Sequence, residues 1–152
     1  MESRQKPISV KVPCTLPHET YADKFVMRKA RITIKEYEII SRLSRESAKA
    51  RMRLLDIEES DDKVEERDKL RDKVEATSLA LREEYSQVIV EWNLTDDFGN
   101  PLPDPYLNSA ALGDDVLSMD EYRWITELVQ DGLAEIQERA GKTLEGKNSQ
   151  GS

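Results

Sequence analysis

Apolar and polar positions alternate in Ile8-Ser9-Val10-Lys11-Val12, the period of two that a half-buried strand requires, until Pro13 and Pro17 interrupt it. Phe25-Val26-Met27 and Ala30-Arg31-Ile32 predict a second strand within residues 24–32, and the two strands are expected to pair as a small hairpin. At Thr33 the period changes. Thr33 and Glu36 stand at capping-box spacing, in which the threonine oxygen accepts a first-turn N–H and the glutamate reaches back to the cap. Ile34, Tyr37, Ile40, Leu43 and Ser44 fall on one helical face and Ala48, Met52 and Leu55 continue it, which predicts a helix over 34–57. Its polar side carries Arg42, Arg45, Arg51 and Arg53. After an acidic break at 58–62, where Ser60 or Asp61 can cap, Val74, Ser78, Leu81, Tyr85, Val88 and Trp92 alternate four and three apart. That seam predicts a second helix over 61–92, antiparallel to the first. Ser118 and Glu121 form another capping box, and Tyr122, Ile125, Val129, Leu133 and Ile136 predict a third helix over 119–138, with Gly141 as its stop.

The pattern predicts a mainly α (α+β) fold: a helical hairpin plus a C-terminal helix, with a small N-terminal β hairpin. One domain over 8–140 is expected, with a flexible N-terminus at 1–7 and a disordered tail at 141–152, where Gly, Ser, Lys, Asn and Gln predominate. Between the second and third helices lies a Pro-rich acidic connection, 93–117. Asp97-Phe98-Gly99-Asn100 is turn chemistry, and Pro101, Pro103 and Pro105 impose an extended path. The connection exceeds the roughly 12–15 residues beyond which a structureless loop is uncommon unless functional or disordered. Leu94, Phe98, Leu102, Tyr106 and Leu107 lie in it and Trp92 and Trp124 flank it, so these seven are the candidate partner-binding residues. For the two tryptophans burial in the core is the first expectation. For the connection's apolar residues, stapling the last helix onto the hairpin stands level with binding a partner.

Composition narrows the function. The chain has 152 residues, of which 38% are hydrophobic and 36% charged, enough for one modest core. No apolar run approaches the roughly 18 residues of a membrane span, and Met1–Lys6 lacks the apolar stretch of a signal peptide. Cys14 is the only cysteine, so no internal disulfide is possible and a reducing cytoplasm is expected. The net charge of −8 hides an asymmetry: residues 1–53 sum to +7 and residues 54–152 to −15. A basic first third can meet nucleic acid, but the remainder would be repelled. Complementary charge facing within the molecule, or facing a partner, is the expectation. Cys14 and His18, the only histidine, are close enough to suggest a nucleophile with its base, but a turn histidine and a small apolar cysteine are the expectation by a wide margin. Zinc wants three or four ligands, which one Cys and one His do not supply. Asp96, Asp97, Asn100 and Asp104 miss the spacing of a calcium loop, and no glycine-rich phosphate loop or serine elbow is present. No catalytic, cofactor-binding or metal residues are expected, and no enzyme.

The run Trp92-Asn93-Leu94-Thr95-Asp96-Asp97-Phe98-Gly99-Asn100-Pro101-Leu102-Pro103 resembles tail assembly chaperones of long-tailed (siphovirus-like) bacteriophages. In that family a helical region ends in a Trp-Asn/Asp-Leu-like segment, then an acidic glycine turn, then Pro-Leu-Pro. A further helix carries a Trp-Ile-like pair, here Trp124-Ile125. The segment Phe25 to Ile32 and the Thr-capped helix with Glu36-Tyr37-Glu38 are also similar, so the resemblance spans 25–138. The charged hairpin from Arg51 to Glu75 is longer than in the family. The resemblance implies a non-enzymatic assembly factor of the host cytoplasm. Its partner would be the tape measure protein, a very long helical chain with apolar faces, kept soluble until tail tube subunits polymerise around it. The tail tube protein would be a second contact, and a homo-oligomer is compatible. No membrane partner is expected. Two other readings stay open: a structural virion component (connector or tail completion protein), or a nucleic-acid-associated regulator using the Arg-rich first helix.

Overall fold

The computed structural model describes residues 5–58, 62–106 and 108–150, with the backbone alone at 136 and 140–150. The elements run β1 (Ser9–Pro13), β2 (Phe25–Lys29), α1 (Ile34–Ile57), α2 (Val64–Val88), β3 (Ile89–Trp92) and α3 (Met119–Gln150), with 3₁₀ turns at Glu19–Tyr21 and Ser109–Leu112. The fold is mainly helical with a small antiparallel sheet, as the periodicity predicts.

The sheet has one strand more than the expected hairpin. Its order is β1-β2-β3, all antiparallel, with Val12 opposite Val26 and Val26 opposite Trp92. The sequence reading carried the second helix to Trp92; the structure ends it at Val88 and turns directly into β3. The reason is local and tertiary at once. Val88, Ile89 and Val90 are β-branched, stiff in a helix and favoured on a pleated surface, and β2 offers a free edge. Ile89 is already extended while its N–H still reaches the Tyr85 carbonyl, so helix passes to strand without a loop. An irregularity between Met27 and Arg28 absorbs the mismatch in register.

The capping box at α1 is present: Thr33 Oγ1 accepts the Glu36 N–H at 3.2 Å, and Glu36 Oε1 accepts the Thr33 N–H at 3.0 Å. Lys29 Nζ adds a 2.6 Å ion pair to the same oxygen. The buried stripe of α1 is Ile40, Leu43, Ser47, Ala50 and Ile57. This corrects the expected face, since Ile34, Ala48, Met52 and Leu55 are exposed. Small Ser47 and Ala50 sit where α2 passes, and α2 buries Thr77 rather than Ser78, its hydroxyl donating to the Lys73 carbonyl at 2.9 Å. Residues 59–61, with the proposed cap Ser60 or Asp61, lie outside the described residues; α2 begins at Val64 without a side-chain cap.

Helix α3 starts at its predicted box, with the Glu121 N–H donating to Ser118 Oγ and the Ser118 N–H to Glu121 Oε1. It continues through Gly141 to Gln150, where a stop and a disordered tail were expected. A helical glycine costs about 1 kcal/mol against alanine, which weakens a helix without ending it. Trp124, Ile125, Leu128, Val129 and Leu133 join Val26, Ile40, Tyr85, Val88, Ile89, Trp92 and Leu94 in the main core. Gly132 lies so close to β2 that a Cβ there would meet Arg28 Nη1 at 2.7 Å, and Gln130 Nε2 donates to the Tyr85 hydroxyl at 3.2 Å. Three ion pairs, Lys6–Asp104, Arg28–Glu135 and Arg53–Glu66, join the basic first third to the acidic remainder. Lys6, read as part of a loose end, is thereby tied down.

Candidate partner-binding surface

The connection after β3 is ordered by short-range bonds. Asn93 closes the sheet, its Oδ1 accepting the Phe25 N–H at 2.7 Å and its Nδ2 donating to the Asp23 carbonyl at 2.9 Å. The chain then folds back on itself: the Leu102 N–H donates to the Leu94 carbonyl at 3.0 Å, Thr95 bridges Pro101, and the Asp96 N–H donates to the Asn100 carbonyl at 2.9 Å. The Gly99 N–H closes the turn on the Asp96 carbonyl at 3.1 Å, and Gly99 takes φ 83°. This is the three-residue hairpin loop in which a type I turn is followed by a left-handed residue. Asp96 Oδ1 accepts the N–H groups of Asn100 and Phe98, each at 2.9 Å. Those donors, Asn100 first, hold the Asp96 carboxyl below its ordinary value. Beyond Pro105, Asn108 Oδ1 caps the 3₁₀ turn, which buries Ala111 and Leu112.

The structure separates the seven candidate residues. Trp92, Leu94 and Trp124 are buried together in the core and leave little surface for a partner. Leu102 is half-buried against that core, and Tyr106 is half-buried. Phe98 stands alone at the hairpin tip, 88% exposed. Leu107 lies outside the described residues. The buried residues of the connection therefore staple α3 to the hairpin, while its tip projects.

An open apolar cleft lies where the connection enters α3. It holds about 480 Å³ and is lined by Gly113, Asp114 and Leu117 from the connection with Ser118, Met119, Tyr122, Arg123, Thr126 and Glu127 at the start of α3. Asp114 and Tyr122 also line a neighbouring hollow that runs to Leu79 and Arg82 on α2, and Arg82 forms an ion pair with Asp114 across it. Met119, 78% exposed, and Leu79, 51% exposed, stand beside these hollows. Thr126 Oγ1 is buried without a hydrogen-bond partner among the described residues. Sequence reasoning singled out Tyr122 but passed over Met119 and Thr126. Their spacing of three and four from Tyr122 was the available signal, a second stripe beside the buried one. Such a cleft can take a row of apolar side chains from a helix or an extended segment.

Several polar groups elsewhere have structural partners. His18 Nδ1 accepts the Thr20 N–H at 3.2 Å, capping the first 3₁₀ turn, while Cys14 packs half-buried against the core. Tyr21 donates to Glu121 at 2.9 Å, and burial first of all pushes the tyrosine above its ordinary pKa. Among the described residues no three His, Cys, Asp or Glu side chains gather as a metal site, and no helix is long and apolar enough to cross a membrane. Comparison with family models, with curated proteins and with solved structures finds no match to this chain.

Proposed function

We propose that this chain is a non-enzymatic binding protein for a long helical partner, and that it serves as a tail assembly chaperone of a long-tailed bacteriophage. Its partner in that role is the tape measure protein, held soluble in the host cytoplasm until tail tube subunits enclose it. The observation that carries the reading is the open apolar cleft at the start of α3, with Met119 exposed on it and Leu79 exposed in the neighbouring hollow. Apolar surface left uncovered on a small chain marks an interaction site. A partner with a long apolar stripe presents matching surface, and a chaperone of net charge −8 would keep the joint complex soluble. The run from Trp92 to Pro103 supports the family, although its two most distinctive apolar residues, Trp92 and Leu94, serve the core.

The fate of the chain during assembly tests this. It is expected to co-purify with the tape measure protein from assembly intermediates and to be absent from mature particles. Its presence in purified particles at fixed copy number would instead assign it to the virion structure. Failure to co-purify at any stage would remove the chaperone reading.

A further inference from the structure

Two exposed features of the chain are complementary in charge. The first is the hairpin tip, where Phe98 is 88% exposed on a turn held rigid by Asp96 and Gly99. Asp96 and Asp97 immediately precede Phe98. The second is the solvent face of α1. Arg42, Arg45, Lys49 and Met52 follow one another at three- and four-residue spacing, all exposed, Met52 by 69%. Together they form a stripe of about 15 Å at 1.5 Å rise per residue. Among the described residues none of the three cations lies in an ion pair. Glu38 and Asp56 bound the stripe at its ends.

We infer that the chain self-associates through these two surfaces, the Phe98 tip of one copy seating on the α1 stripe of a second copy. The ring would lie against Met52, a contact that thioether and aromatic groups favour, with Asp97 among Arg42, Arg45 and Lys49. Charge decides against the other apolar hollow as the receptor for the tip. The cleft at α3 carries Arg123 against Asp114 and Glu127, so it offers a ring that follows two aspartates less positive charge than the three cations of the stripe. Charge also decides against nucleic acid as the occupant of the stripe, because the remainder of the chain sums to −15. The contact is smaller than the roughly 800 Å² per partner of a standard interface, so it is weak and salt-sensitive. It joins two different surfaces, so a mutant lacking one still offers the other.

Sedimentation velocity on the full chain, over about a hundredfold range of concentration, tests the inference at about 50 mM and about 500 mM salt. The weight-average sedimentation coefficient is expected to rise with concentration at low salt only. Phe98→Ser and the double variant Arg45→Glu/Lys49→Glu each change exposed residues, so circular dichroism should match the wild type. Each is expected to weaken association about tenfold or more. Mixing the two variants should restore one-to-one dimers, since one keeps the stripe and the other the tip. Concentration-independent sedimentation of the wild type at low salt would overturn the inference, as would wild-type association by either variant or failure of the mixture to recover. Duplex DNA bound by the wild type and lost in the stripe variant would assign the stripe to nucleic acid and equally overturn it.

Discussion

Gly99 is the only described residue with positive φ, and nothing lies within 4 Å of where its Cβ would be. Gly99→Ala therefore isolates backbone strain from steric clash and is expected to cost about 1–2 kcal/mol by urea unfolding. Loss of the Thr33 cap by Thr33→Ala is expected to cost about 1 kcal/mol. Glu36 adds a pH signature. Burial pushes its carboxyl up, but hydrogen bonds from Lys29 and Thr33, with the Lys29 charge, outweigh burial and hold it below 4.5. A carboxyl depressed in the folded state contributes stability that is whole above its unfolded value and lost as pH falls through the folded one. Wild type is thus expected to exceed Glu36→Gln in urea midpoint near about pH 7, with the gap closing at acid pH. A gap that stays constant down to acid would contradict this. Both capping boxes and the glycine turn were legible in the sequence because every partner lies within four residues.

At the scale of elements, legibility fell where the partner is distant. The start of α1 and of α3 followed from local boxes, but β3 did not. Its pairing with β2 spans more than sixty residues of chain, and Val88 and Trp92 satisfy a helical seam as well as a strand. The face of α1 was misjudged for a related reason: Ile34, Met52 and Leu55 are apolar, and only the position of α2 shows that they stay wet. Stability should follow the structure. Trp92→Ala and Leu94→Ala each remove a buried side chain and are expected to cost about 2–5 kcal/mol, as read from chemical denaturation. Met52→Ala and Leu55→Ala are expected to change stability by no more than about 0.5 kcal/mol. Comparable losses at Met52 and Trp92 would mean that α1 packs on another face.

For the whole molecule, the connection from 93 to 117 was recognisable by its prolines and acids, but the use of its apolar residues was not. Leu94, Ala111, Leu112 and Leu117 are drawn inward because α2, α3 and the sheet leave a space that they fill. Phe98 remains outside, 88% exposed. The apolar surface left exposed lies at the first turns of α3 and the middle of α2, where Met119 and Tyr122 line the cleft and Leu79 the hollow beside it, and the proposed function places the helical partner there. Met119 and Leu79 are exposed enough for substitution to leave folding intact. Titration calorimetry of the double variant Leu79→Asp/Met119→Asp against the cognate tape measure protein is therefore decisive. Affinity about tenfold or more below wild type, at an unchanged thermal midpoint, is the expected result. Wild-type affinity in the folded double variant would contradict the assignment of this cleft as the partner-binding surface.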